Sequence, residues 1–145
     1  MTTEILSGRH YQQIISLPSP GYGLHPITHQ VQEVVHNSGV RNGLCTMFLR
    51  HTSASLIIQE NADADVLVDL ASFMSRLVPE NYPYRHCSEG PDDMPAHIRT
   101  ALTHSSETIP ISDGRLTLGT WQGLYLWEHR RGRSTRQLVV HIMGC

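Results

Sequence analysis

Arg50-His51-Thr52-Ser53 sets an imidazole and two hydroxyls at the close of an apolar run, where folding alone asks for neither. An imidazole at a strand end can hold a ligand or pass a proton near neutral pH. It can equally be satisfied by the hydroxyls beside it. Past the next apolar run, Leu56-Ile57-Ile58, come Glu60 and Asn61, so a carboxylate and an amide lie on the far side of a short strand. Asp93 and His97 are four apart, and on a helix that spacing puts both on one face within reach of one metal ion or phosphate. Asp93 could instead simply cap the helix that Pro95 begins. His86 stands just upstream in the loop YRHCSEG. His51, His86 and His97 come from separate segments and compose a metal set only if the fold gathers them. A Ser53–His51–Asp93 relay can also be written, but Ser-Ala-Ser lacks the flanking glycines of a nucleophile elbow.

Two further stretches carry chemistry. Gly119-Thr120-Trp121-Gln122-Gly123 places a hydroxyl, an indole and an amide between glycines, which suits close backbone approach to a ligand or a turn carrying a core tryptophan. Arg130, Arg131, Arg133 and Arg136 put four guanidinium groups within seven residues. Such a run is expected at a solvated hairpin tip. Arg136 begins the final strand and is the one able to point inward to a phosphate.

The composition narrows the chemistry. All eleven basic residues are arginine, so lysine Schiff bases and a lysine-dependent P-loop are excluded. Any anion site must use guanidinium forks, backbone N–H groups or some of the ten histidines. A net charge of −2 argues against a nucleic-acid partner. No apolar run approaches the roughly 18 residues that cross a bilayer, so no membrane partner is expected. The opening MTTEILSGRHYQQ shows no secretory pattern, and Cys45, Cys87 and Cys145 are an odd, scattered set. A cytoplasmic location with reduced thiols is the expectation.

The elements that must position these residues follow from periodicity and turn chemistry. Residues 9–17 read as a strand, 18–23 as a loop, and 26–38 as a helix stopped by Gly39. Residues 44–50 read as a strand apolar on both faces, hence covered on each side. Val66, Leu67, Leu70, Phe73, Met74 and Leu77 form one stripe of a second helix, capped by Asn61, with Asp63 near its positive end and Pro79 at its stop. A third helix runs from about Pro95 to Leu102. Strands are expected at 106–111, 115–118, 123–129 and 137–143. Asp113-Gly114 turns between the first two, and RRGRS makes a hairpin between the last two. The order implies one α+β domain over 1–145, with mixed or antiparallel sheets packed against about three helices.

"NGLCTMFLRHTSASLIIQENADADV", "YRH", "DDMPAHI", "DGRLTLGTWQG" and "RQLVVHIMG" occur in this order, and with them the chain resembles the YjbQ family, called secondary thiamine-phosphate synthases. The resemblance runs from about Leu24 onward. It implies a compact α+β fold, a homotrimer, and sites at subunit boundaries. It carries over His51, Thr52, Ser53 and Ala54; Glu60, Asn61 and Asp63; His86; His97; and Gly119, Thr120, Gln122 and Arg136. The chain departs from the pattern in three places. Asp93 stands for an asparagine, Thr103-His104 for a helix-ending glycine, and Gln137 for a second arginine after Arg136. The first changes charge near the site and bears on metal choice; the last leaves one fewer anion contact.

What the resemblance implies is transfer of an aminopyrimidine methyl group from its diphosphate to the ring nitrogen of a thiazole phosphate. His51, Ser53, Glu60, Asn61, Asp93 and His97 are then the catalytic candidates. Thr52, Thr120, Gln122 and Arg136 are the phosphate or substrate contacts. A divalent ion, zinc or magnesium, is expected on His51, His86 and His97. One alternative is a metal-dependent hydrolase of a small phosphorylated or acyl compound, with Glu60 activating the attacking water. The other is a metal- or ligand-binding trimer without catalysis, its arginine hairpin a partner surface.

Overall fold

A computed structural model describes residues 8–145; residues 1–7, which open the stretch without a secretory pattern, lie outside the described residues. Eight strands and three helices follow in the order β1 (Arg9–Ser19), β2 (Gly23–Pro26), α1 (Thr28–Ser38), β3 (Gly43–Leu49), β4 (Ala54–Glu60), α2 (Ala64–Leu77), α3 (Asp93–Ala101), β5 (Ser106–Ser112), β6 (Arg115–Leu116), β7 (Gln122–Glu128) and β8 (Ser134–Gly144). They build two antiparallel sheets: a five-stranded one ordered β1-β8-β3-β5-β6 and a three-stranded one ordered β2-β7-β4. The α+β expectation is met in a single compact domain.

Alternation decides which side chains meet. Leu138, Val140 and Ile142 of β8, and Cys45, Met47 and Leu49 of β3, are buried on one face of the larger sheet. They pack with Leu124 and Leu126 of β7, Leu56 of β4, and Val31, Val34 and Val35 of α1 in one apolar cluster. The odd-numbered side of β7 is covered as well: Trp127 packs with Met74, Val78 and half-buried Leu70 and Ile98 beneath α2 and α3. So β7, not β3, is the strand covered on both faces. Leu44 and Phe48 of β3 are 43% and 51% exposed, because the outer face of the larger sheet carries no layer among the described residues.

Three further expectations change. RRGRS is no hairpin: β7 and β8 are consecutive but belong to different sheets, so the segment crosses from one sheet to the other. Asp63 rather than Asn61 caps α2, accepting the Asp65 backbone N–H at 2.9 Å. Of the α2 stripe only Met74 is buried, while Phe73 and Leu77 stay more than half exposed. The Asp113-Gly114 turn does join β5 to β6, with φ of 52° and 75°, both in the left-handed region that this tight turn requires. Among the described residues no helix is long and apolar enough to cross a membrane.

Candidate active site

The site gathers where three connecting segments meet the start of α3: the one after β3, the long one between α2 and α3, and the one before β8. Helix α3 begins at Asp93, so Asp93 and His97 lie one turn apart on one face, and His97 Nε2 stands 3.1 Å from Asp93 Oδ2. His86 enters from the preceding loop and puts its Nε2 2.6 Å from the same oxygen. These three ligand atoms lie within 4.8 Å of one another. The residue in the capping position is Asp92, whose side chain makes no cap bond. Asp93, 3% exposed, therefore spends its carboxylate on the histidines and on Arg130, whose Nη1 is 3.1 Å from Oδ1.

The His97 ring shows why a cation fits. Its Nδ1 lies 3.0 Å from the Thr52 carbonyl oxygen, which can only accept, so Nδ1 carries the proton. In the neutral ring the Nε2 lone pair then faces a carboxylate oxygen, an acceptor against an acceptor. A proton or a metal ion between them removes that conflict. A ring N–H held by a backbone carbonyl is also how a metal-ligating histidine is normally oriented. Two imidazoles and one carboxylate suit zinc better than magnesium, which prefers an all-oxygen shell.

The charges agree with this geometry. The hydrogen bond to Asp93 raises the His86 pKa above its ordinary value of 6.5, against a smaller desolvation effect. For Asp93, burial pushes upward, but hydrogen bonding from His86 and the charges of His97 and Arg130 outweigh it and hold the carboxyl below 3.8. Arg130 also bonds Asp92 at 3.2 Å and the Glu89 carbonyl at 2.8 Å, and Arg131 pairs with Glu80. The arginine run thus straps the loop carrying His86 to the start of α3.

His51 stands beside this group but outside its ligand set. Its Nδ1 accepts the Ser53 backbone N–H at 3.0 Å, and its Nε2 is 2.7 Å from Arg136 Nη1. Burial lowers its pKa, with Arg136 adding to the effect. Arg136 faces inward from β8, as expected, and meets a partner that sequence reasoning missed. Glu128, fully buried at the end of β7, takes Arg136 Nε at 2.9 Å and Nη2 at 2.5 Å, and the Ser19 hydroxyl donates to it at 2.9 Å. The only signal for Glu128 was a carboxylate ending an otherwise apolar strand. The Ser53–His51–Asp93 relay is not assembled: His51 Nδ1 meets a backbone N–H, and Asp93 meets His86, His97 and Arg130.

Glu60, Asn61, Thr120 and Gln122 lie elsewhere. Ala54 pairs with Glu128, and Glu60 with Gln122. Six residues of strand, about 20 Å, therefore separate them from the His51 end within one chain. There the Asn61 amide donates to the carbonyls of Thr120 and Gln122 at 3.1 Å each, and the Tyr125 hydroxyl donates to the Glu60 carbonyl at 2.8 Å. Gln122 accepts the Gly119 N–H at 2.8 Å in a tight turn, with Trp121 exposed rather than in the core. A separate hollow of about 430 Å³ opens beside Glu60, Asn61, Asp63 and His29.

Comparison with known proteins gives one consistent result. A family model described as "UPF0047 protein YjbQ-like" matches residues 13–145. A UPF0047 protein of Synechocystis is 57% identical over 99% of both chains. The UPF0047 protein YjbQ of Escherichia coli O157:H7 is 38% identical over 92% of this chain and 98% of its own. Among solved structures, a "YbjQ-like protein of unknown function" from Sulfolobus solfataricus P2 superposes with a TM-score of 0.87 at 26% identity, covering 96% of this chain and all of the other. An uncharacterized conserved protein of the same family from Clostridium acetobutylicum gives 0.82 at 36% identity, over 90% and 98% of the two chains.

Proposed function

Since the chain belongs to the UPF0047 family of YjbQ-like proteins, we propose that it is an enzyme acting on a small phosphorylated compound beside a divalent ion. The reaction we assign is thiamine-phosphate synthase-like transfer. The observation that carries this is the convergence of His86 and His97 on one Asp93 oxygen, next to arginines.

The ring nitrogen of the thiazole phosphate attacks the methylene carbon of the aminopyrimidine. The carbon–oxygen bond to diphosphate breaks, and its electron pair leaves with the diphosphate. No protein nucleophile is needed, which agrees with a buried Ser53 that has no relay behind it. The protein must hold two ligands in line and receive charge growing on the leaving group. Arg136, fixed by Glu128, and the unshared N–H groups of Arg130 are suited to that charge. His86, Asp93 and His97 would hold the divalent ion, which when bound supplies positive charge to the leaving group. The Thr52 carbonyl keeps His97 turned toward it, and Arg130 orients Asp93.

Glu60, Asn61, Thr120 and Gln122 join this site only if a second copy supplies them, as a homotrimer with boundary sites would. Ile14, Leu44, Phe48 and Met143, each 43% exposed or more on the outer face of the larger sheet, support such association. The test is turnover. Diphosphate release should require both precursors and should be lost on chelation. The second reading, a hydrolase, is favoured by the two-histidine, one-carboxylate ligand set alone, which recurs in hydrolytic zinc sites. Metal-dependent turnover of a single substrate, with no release from the precursor pair, would replace the first reading by the second.

A further inference from the structure

His51 is held between two donors. Ser53 N–H points at Nδ1, and Arg136 Nη1, a group with no lone pair to offer, points at Nε2. A neutral imidazole has one lone pair and one N–H; the charged ring has two N–H groups. In neither state are both contacts hydrogen bonds, so at least one sets N–H against N–H. Neither neighbour turns away readily. The Ser53 N–H belongs to a buried residue immediately before β4, and Arg136 is clamped through Nε and Nη2 by buried Glu128.

The hollow in front of this contact has the same imbalance. It measures about 330 Å³ and is lined by His51, Arg130, Gly132, Arg133, Ser134 and Arg136, with no carboxylate. The Ser134 hydroxyl is buried and has no hydrogen-bond partner. Three guanidinium groups, an imidazole and an unpartnered hydroxyl thus surround a space with no anionic side chain in its lining. The neighbouring carboxylates are engaged elsewhere: Glu128 behind Arg136, and Asp92 and Asp93 with Arg130 and the histidines.

We propose that this hollow is a subsite for a phosphoryl or diphosphate group, and that His51 serves it as a neutral Nε2–H donor. An anionic oxygen entering between His51 and Arg136 accepts from both, turning a donor–donor contact into two hydrogen bonds. The Ser53 N–H fixes the tautomer by occupying the Nδ1 lone pair. Glu128 and Ser19 act as positioning residues that set the angle of the Arg136 fork. The inference rests on the phosphorylated-substrate reading above and adds the role of His51, which by this geometry donates to the ligand rather than binding the metal.

The test uses the full chain in chelator, with inorganic diphosphate as probe and no turnover. Titration calorimetry should show saturable diphosphate binding. His51→Phe should weaken it at least tenfold, as expected for losing a hydrogen bond to a charged group, whereas His51→Gln, which keeps an N–H near the Nε2 position, should stay within about threefold. In the wild type, nitrogen-15 spectra of the imidazole should show the Nε2–H tautomer with diphosphate bound. Unchanged affinity in His51→Phe, or a bound Nδ1–H tautomer, overturns the inference; the spectrum decides if the variants do not fold. Diphosphate binding of the expected kind without turnover of any precursor pair would sustain the subsite and remove the synthase reading. Synthase turnover with diphosphate affinity indifferent to His51 would do the reverse.

Discussion

Replacing Glu128 by alanine should unfold this protein at a much lower temperature, although the residue lies outside every sequence motif considered. Glu128 is fully buried and Arg136 is 7% exposed, and they share two hydrogen bonds of 2.9 and 2.5 Å. Removing one member of such a pair leaves an uncompensated buried charge, which costs about 3–5 kcal/mol. Nothing nearby compensates: His51 presents a ring nitrogen, and Ser19 loses its acceptor as well. For a chain of 145 residues the unfolding entropy near the midpoint is about 0.3 kcal/mol/K, so the expected fall in Tm is about 10–16 °C. Calorimetry or circular dichroism at one fixed protein concentration measures it, since association shifts Tm as well. The double variant Glu128→Leu with Arg136→Met should recover most of the loss, because an apolar pair of similar volume is generally as stable as a buried ion pair. A Glu128→Ala midpoint within about 3 °C of wild type, or a double variant no better than the single, would refute the reasoning.

Zinc affinity should rise with pH between about 6 and 8, because His86, its pKa held above 6.5 by Asp93, must lose its proton to bind metal; equal affinities at the two ends would contradict that assignment. Without metal the sign reverses. The His86–Asp93 contact contributes fully below pH 6.5 and fades as pH climbs through the raised His86 value, so His86→Ala should lower Tm more at pH 6 than at pH 9. His129 is buried against Trp127 with its Nδ1 unpartnered, and burial drives its pKa down to about 3. Its folded pKa is depressed, so the unfolded chain takes up a proton first and stability is lost as pH falls from 6.5 towards 3. His129→Leu should flatten that acid slope by up to about 1.4 kcal/mol per pH unit, read from Tm against pH.

The parts of the fold legible in the sequence were those set by local period and turn chemistry. Asp93 and His97 at helical spacing, the Asp113-Gly114 turn and the inward aim of Arg136 all depend on residues close in the chain. Sheet membership does not. Nothing local distinguishes a hairpin at RRGRS from a crossing between sheets, and both faces of β3 are apolar although only one is covered. The same limit hid Glu128, whose partners Ser19 and Arg136 reach it from the opposite sheet. It also left Glu60 and Asn61 grouped with His51, when a full strand length separates them. Phe73 and Leu77 fit the α2 stripe by spacing, yet the small cluster under that helix takes Leu70, Met74 and Val78 and leaves both of them outside.

One measurement bears most directly on the central claim, that imidazoles from separate segments share one cation beside an anion hollow. A crystal grown with zinc and diphosphate, recorded at the zinc absorption edge, should show one anomalous peak per chain about 2.0–2.2 Å from His86 Nε2, His97 Nε2 and Asp93 Oδ2, with phosphate density against Arg136. Zinc found elsewhere, with His86 and His97 Nε2 still directly against Asp93 and no metal between them, would contradict it.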